Sequence, residues 1–202
     1  MMHLHRPYAE SCDQNQQVIL EVLRQVFTES GQVLEIGSGT GQHALFFTEH
    51  MPHLGWQPTD VVSQLDGIRM WMEDASHDRI LPPRELDLSH ANWFTENNYE
   101  YVFTANTTHI VSWQLVQSMF MGIAKSLKPG GLFAQYGPFN YGGQYTSESN
   151  ARFDVWLKDR DPSSGIRNFE DLQLLAQSHD LEAVADYEMP ANNRTLVWRK
   201  TG

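Results

Sequence analysis

The sequence predicts an α/β domain: a parallel β-sheet covered by helices and finished by one antiparallel hairpin. Three observations carry this. Short apolar runs alternate with segments of helical periodicity along most of the chain, and parallel strands need crossovers to return to the same edge. The C-terminal end breaks that alternation and reads as two strands around a tight turn. No repeat, low-complexity tract or linker divides the 202 residues, so a single domain spanning 1–202 is expected.

The elements follow in order. Between Gln14 and Phe27, the residues Ile19, Val22, Leu23, Val26 and Phe27 recur at i, i+3, i+4, i+7 and i+8, one helical face that ends near Gly31. Gln32 to Ile36 reads as a buried first strand running into glycines. Gln42 to His50 is a helix that stops before Pro52, because proline disfavours helix in the residue preceding it. Leu54 to Asp60 is the second strand, and Val61 to Ala75 a helix carrying Leu65, Ile68 and Met72. Arg84 to Leu88 and Glu100 to Ala105 are the third and fourth strands. Ser112 caps a helix whose face holds Val116, Met119, Phe120, Ile123 and Leu127. Lys128 to Gly131 is a turn before the fifth strand, Leu132 to Tyr136. Phe169 to Ser178 is a helix with Asn168 as its N-cap. Leu181 to Met189, a turn at Pro190 to Asn193, and Thr195 to Arg199 form the hairpin.

Two segments stand outside the rhythm. Residues 1–31 form an N-terminal lid and helix segment. Residues 137–167 form an insertion in which only Ala151 to Leu157 reads as helix. Connections of that length inside a domain serve as lids or binding loops, or are disordered. The rings of Phe139, Tyr141, Tyr145, Phe153 and Trp156 favour packing over a ligand.

Composition narrows the function. Fourteen Lys+Arg against 25 Asp+Glu give a formal charge of −11, which opposes sequence-blind binding to nucleic acid or to an anionic membrane surface. No apolar run approaches the ~20 residues of a membrane span. The opening residues lack the apolar core of a signal peptide, so a cytoplasmic protein acting on a small molecule is expected. The single cysteine, Cys12, excludes an internal disulfide and a multi-cysteine metal site. His3 and His5 are spaced like a metal pair, but no carboxylate or cysteine set supports them, and no metal is expected.

The sharpest motif is Glu35-Ile36-Gly37-Ser38-Gly39-Thr40-Gly41, entered by a strand and left by a helix. Glycine belongs there because a β-carbon would block the turn or the approach of a ligand to the backbone. The dinucleotide fingerprint Gly-x-Gly-x-x-Gly/Ala requires a small residue at position 42, which is Gln. An NAD-dependent oxidoreductase is therefore the weaker reading. Glu35, two residues before the first glycine, suits a ligand carrying an ammonium group better than a pyrophosphate.

On these residues the sequence resembles the class I S-adenosyl-L-methionine (SAM)-dependent methyltransferases, whose first motif is an acid-x-Gly-x-Gly-x-Gly loop after strand one. The resemblance covers almost the whole chain. It implies a Rossmann-like, doubly wound, seven-stranded sheet in the order 3-2-1-4-5-7-6 with strand seven antiparallel. It also implies that SAM is the cofactor and S-adenosyl-L-homocysteine (SAH) the product. Asp60 then stands where the family binds the ribose hydroxyls, and Asp87, followed by Leu88, beside the adenine. Asn106 and Thr107 stand next to the methionine part and the methyl group, and Leu127 to Gly131 matches the turn before strand five. The sequence also resembles a small methyltransferase-like family catalogued as a domain of unknown function. It shares with it Tyr8-Ala9-Glu10-Ser11 with Asn15, Ser149-Asn150 with Phe153-Asp154, and Gly165-Ile166-Arg167. Asn15 and Tyr8 are read from that likeness as a lid over SAM. A SAM-binding or scaffold module without turnover is the alternative of a different class.

Proton handling falls to His109, three residues beyond Asn106 at the carboxyl end of strand four, as a group titrating near neutrality. Tyr136, Asn140, Tyr141, Ser149, Asn150 and Arg167 offer polar tips among apolar rings and are the expected acceptor-binding residues. Arg152, Lys158 and Arg160 are expected to pair locally with Asp154, Asp159 and Asp161, while Arg167 stays open for a carboxylate or phosphate.

Overall fold

The computed structural model describes residues 6–202, so His3 and His5 lie outside the described residues. Its strands are β1 (Gly31–Ile36), β2 (Leu54–Asp60), β3 (Arg84–Glu85), β4 (Tyr99–Ala105), β5 (Leu127–Gly137), β6 (Phe139–Asn140), β7 (Arg167–Asn168), β8 (Leu181–Met189) and β9 (Asn193–Lys200). Seven of them form one mixed sheet in the order β3-β2-β1-β4-β5-β9-β8, with β9 antiparallel to both of its neighbours. This is the expected topology. The numbers shift by two because β6 and β7 pair with each other in a small separate sheet.

The chain divides into two compact units, residues 1–87 and 88–202. In the first, β1 and β2 pair in parallel from Gly31–Leu54 to Ile36–Thr59, and β3 continues from Thr59–Arg84. Helix α1 (Glu10–Val26) buries Ile19, Leu20, Val22 and Leu23 and starts four residues before the expected Gln14. Its polar first turn has no core face to announce it. Helix α2 (Gln42–His50) keeps its expected bounds. The helix expected over 61–75 is shorter: a 3-10 turn at Val62–Gln64 leads into α3 (Leu65–Met72). The third strand also stops early: Arg84 and Glu85 pair with Thr59 and Asp60, and the bond from Leu86 N–H to Asp60 O at 2.9 Å brings the chain to the end of β2.

In the second unit, β4 and β5 pair in parallel from Tyr101–Leu132 to Ala105–Tyr136. The turn expected at Lys128 to Gly131 lies inside β5. Leu127 already pairs with Tyr99, and the glycine-rich stretch is taken up as a register shift. Helix α4 (Trp113–Ser126) is capped as expected, Leu115 N–H donating to Ser112 Oγ at 3.3 Å. Phe120 on α4 packs edge-on against Phe133 and Trp198. The insertion carries a longer helix than its sequence indicates, α5 (Glu148–Arg160), because Ser147 accepts from Asn150 N–H and starts it earlier. Helix α6 (Phe169–Gln177) follows β7. Asn168 gives α6 no side-chain cap; its Nδ2 donates instead to Asp171 at 3.0 Å. Among the described residues, no helix is long and apolar enough to cross a membrane.

Candidate functional site

In the first unit the glycine loop leaves the carboxyl end of β1, and Gly37, Gly39 and Gly41 all have φ in the left-handed region, at 72°, 56° and 91°. The glycines serve different purposes. A β-carbon on Gly41 would lie 3.1 Å from the Cα and Cγ2 of Ile68, so that glycine lets α3 pack close. Among the described residues a β-carbon on Gly39 would meet nothing within 4 Å, so Gly39 faces open space.

Three of the loop's amides are spent within the fold. Ser38 N–H donates to Thr59 O at 2.9 Å, Gly41 N–H to Ser38 O at 2.9 Å, and Gly39 N–H to Asp60 Oδ2 at 2.7 Å. Asp60 Oδ1 accepts from Val61 N–H at 2.7 Å, and burial pushes the carboxyl above its ordinary range. A loop that faces a carboxylate and has committed these donors is poorly suited to a pyrophosphate, which needs free amides.

Glu35 lies beneath the loop, 2% exposed. Its Oε2 accepts from Ser38 Oγ at 2.8 Å and from the Trp56 indole at 3.0 Å. Burial pushes its pKa up to about 7, against the pull of those two donors, and the nearby Asp60 pushes the same way. Asn15 is buried on α1, where its Oδ1 accepts from His43 Nε2–H at 2.7 Å; burial lowers His43 to about 4. Asp87 is half-buried just beyond β3.

Residues 6–13 are strapped across this end of the first unit by contacts that sequence reasoning missed. Gln42 Oε1 accepts from Ala9 N–H at 2.7 Å and from Thr40 Oγ at 2.9 Å, while its Nε2 donates to Asp13 at 3.0 Å. Tyr8 donates to the other oxygen of Asp13. The Trp71 indole donates to Pro7 O at 2.6 Å, and the Arg6 guanidinium lies 3.6 Å from that ring and pairs with Asp74. Gly67 is glycine for this reason: a β-carbon there would stand 2.6 Å from Pro7 Cγ. The sequence signal is Gln42 itself, an amide where the dinucleotide pattern wants a small residue.

In the second unit Leu88 is buried at its start, and Asn106 follows β4 with φ 59° and its N–H on Tyr136 O at 2.8 Å. Thr107 Oγ accepts from Thr104 Oγ at 2.8 Å. His109 is buried edge-on to Phe153, ring centroids 5.4 Å apart. It does not titrate near neutrality: burial, with help from Arg167, lowers it to about 4. A β-carbon on Gly137 would lie 3.5 Å from His109 Nδ1 and 3.8 Å from Asn106 Oδ1, so both polar atoms face the same glycine.

The expected acceptor residues separate into two groups. Tyr136 is buried, with burial holding its hydroxyl above the ordinary range, and Asn140 is buried with Oδ1 unpartnered among the described residues. The others are bound into the fold. Tyr141 donates to Asp186 at 2.8 Å and stacks on Phe169. Asn150 Nδ2 donates to Thr146 Oγ and Asn192 O, and Ser149 accepts from Asn192 Nδ2. Arg167 gives Nε–H to Thr108 O and both Nη2 protons to Val111 O and Ser163 O. Lys158 pairs with Asp154 at 2.6 Å as expected, whereas Arg152 turns to Glu148 and Arg160 lies over the Trp156 ring.

The buried groups set a pH profile for the whole chain. Between about pH 4.5 and 6.5 the unfolded chain protonates His43 and His109 while the native one holds both neutral, and only native Glu35 keeps its proton. The unfolded state then binds one proton more, so stability rises with pH at about 1.4 kcal/mol per unit. Above pH 6.5 the histidines no longer contribute, and Glu35 alone makes stability fall until about pH 7. Urea melts are expected to show maximum stability near pH 6.5; a flat profile from 5 to 7 contradicts this.

The model of the family described as "Protein of unknown function (DUF938)" matches residues 6–200. An O-methyltransferase family protein from Burkholderia thailandensis superposes with a TM-score of 0.81 at 16% identity, over 96% of this chain and 58% of its own. The SAM-dependent methyltransferase SibL in its apo form gives 0.79 at 17% identity, over 95% and 56%. An O-methyltransferase family 2 protein from Planctomyces limnophilus DSM 3776, solved in complex with apigenin, gives 0.75 at 12% identity, over 92% and 62%. The chain thus shares the methyltransferase-like Rossmann fold and spans between about half and two thirds of these neighbours' length.

Proposed function

Because the chain belongs to the DUF938 family, whose description assigns no activity, we propose one from the site itself: SAM-dependent methyl transfer to a small molecule. The observation that carries this reading is Gly39, open at φ 56° and bonded through its amide to the acid that ends β2. Open space at Gly39 lets an uncharged part of a ligand approach the backbone closely, and the committed amides argue against a dinucleotide. The neighbours' names support the same chemistry.

In the first unit we assign Glu35, Gly37, Ser38, Gly39 and Gly41 to the methionine end of SAM. Asp60 serves the ribose, Asp87 the adenine, and Asn15 belongs to the covering segment. In the second unit Leu88, Asn106 and Thr107 keep the cofactor roles that the resemblance implies. When bound, SAM supplies an electrophilic methyl carbon whose leaving group, a neutral thioether, needs no acid. The chain has to orient the nucleophile, a contribution of up to ~7–11 kcal/mol in favourable cases, and to receive its proton. His109, neutral at pH 7 and facing Gly137 beside Asn106, receives it. A base this weak suits a proton that becomes acidic only as the new bond to carbon forms. The bonded residues Tyr141, Ser149, Asn150 and Arg167 shape the wall of the acceptor region, and Tyr136 and Asn140 supply its polar atoms.

The test is calorimetric titration of the protein with SAM, SAH and NAD. Micromolar binding of SAM and SAH without NAD supports the reading. NAD binding without SAM reverses it. Release of SAH on adding a metabolite extract separates turnover from a binding module.

Two variants refine the assignment. Asp60→Ala is expected to weaken SAM by roughly 1–3 kcal/mol, since the carboxylate both orders the loop and receives the ribose hydroxyls. Unchanged affinity leaves Asp60 as a brace for Gly39 and Val61 only. His109→Ala should lower kcat by about 100-fold or more with SAM affinity nearly unchanged; the reverse pattern makes His109 a cofactor or structural residue.

A further inference from the structure

Resting on the methyltransferase reading, we infer that His43 is a positioning residue of the cofactor site: it holds the Asn15 amide so that its NH2 group is presented to the carboxylate at the methionine end of SAM.

Asn15 is the odd residue on its face of α1. It is 6% exposed, one turn before Ile19, which is fully buried with Leu20 and Leu23. A buried amide needs partners at both of its ends. The oxygen has one, the Nε2–H of His43 at 2.7 Å; the nitrogen has none among the described residues. Two N–H donors are left for a ligand, and leaving them unpaired costs free energy that a ligand's oxygen would recover.

His43 bonds the oxygen end only. Burial lowers it to about 4, so the ring is neutral at pH 7, and a protonated Nε2 accepts nothing from an amide. The ring is itself fixed. It stacks on Phe47 at 5.2 Å, and Phe47 packs 5.6 Å from Trp56, whose indole bonds Glu35. One row of packed rings thus orients both the Asn15 amide and the Glu35 carboxylate. Cys12, one turn before Asn15, interacts with the Thr40 hydroxyl and feels the charge of Glu35, which places this face of α1 against the glycine loop.

Together these groups complement an amino acid. Glu35 suits its ammonium, and its carboxylate needs donors. Ser38, Gly39 and Gly41 have given their amide protons to the fold, and Arg6 is paired with Asp74. The NH2 group of Asn15 is uncommitted. Without His43 the amide would be free to turn its oxygen toward the carboxylate instead, and the two would repel.

The experiment is calorimetric titration of the intact protein with two probes: SAH, and SAH lacking its carboxylate. Three variants are compared, each checked by a thermal melt. Asn15→Asp keeps an oxygen for His43 and replaces the donor; His43→Phe keeps the ring on Phe47 and removes the bond; His43→Gln retains an N–H near the Nε2 position. The native protein is expected to prefer SAH by about tenfold or more. Asn15→Asp and His43→Phe should erase that preference, weakening SAH and not the decarboxylated probe, and His43→Gln should restore most of it. Equal binding of the two probes by the native protein overturns the inference without recourse to any variant. Equal loss for both probes in the variants also overturns it, making the pair structural, and leaves the methyltransferase reading standing. Failure of the native protein to bind SAH at all removes that reading, and the inference with it.

Discussion

Gly39→Val is expected to abolish SAM binding in a protein that still folds. At φ 56° a branched residue is strained by roughly 1–2 kcal/mol, which a domain of this size tolerates. Its β-carbon meets no atom of the described residues within 4 Å, so the extra volume enters the space assigned to the ligand and no part of the core. The affinity loss should exceed about 100-fold, or roughly 3 kcal/mol. Gly41→Ala is the control, because its β-carbon strikes Ile68 and the damage falls on packing before it reaches the ligand. Calorimetry with a parallel thermal melt reads both. A folded Gly39→Val protein that binds SAM normally removes the glycine loop from the cofactor assignment.

Glu35→Gln is expected to act on stability and affinity in opposite directions. At pH 8 the native carboxyl is ionised in a buried position, whereas at pH 5.5 it carries its proton. Glutamine keeps an oxygen for Ser38 and Trp56 and removes the charge. It should therefore raise stability by about 3 kcal/mol at pH 8, by about 1.4 kcal/mol at pH 5.5, where the unfolded carboxyl is already ionised, and by little near pH 4. If the charge serves the ammonium of SAM, affinity at pH 8 falls by about tenfold or more. A buried charge kept against its own stability cost is the mark of a functional group. Gain of stability with full affinity assigns Glu35 to organising the loop through Ser38. No gain at pH 8 overturns the ionisation argument.

The legible parts of the fold were those written in local periodicity. The faces of α1 and α4, the run into β1, and the hairpin of β8 and β9 all follow from spacing that a short window contains. The glycine loop was legible for a different reason: positive φ leaves few residue choices. Features decided by distant pairing were hidden. Lys128 to Gly131 has turn chemistry, yet the contact of Leu127 with Tyr99 draws it into β5. Arg167 looked like an open anion site because its three carbonyl partners include two that lie 56 and 59 residues earlier. The partners of Asn150 and Tyr141 are hidden in the same way, Asn192 and Asp186 lying 42 and 45 residues on. His109 was placed at the correct strand end, but its lowered pKa comes from burial against Phe153 that no spacing records.

The strap on Gln42 ties two traits to one codon. A glycine or alanine there would complete the dinucleotide spacing of the loop and, in the same substitution, release Ala9, Thr40 and Asp13 from their shared partner. A step from this chain toward dinucleotide spacing at position 42 therefore costs the leading segment its bonds to Gln42 and leaves Trp71 and Asp74 to hold it. Retaining glutamine keeps ligand identity and N-terminal anchorage from evolving independently.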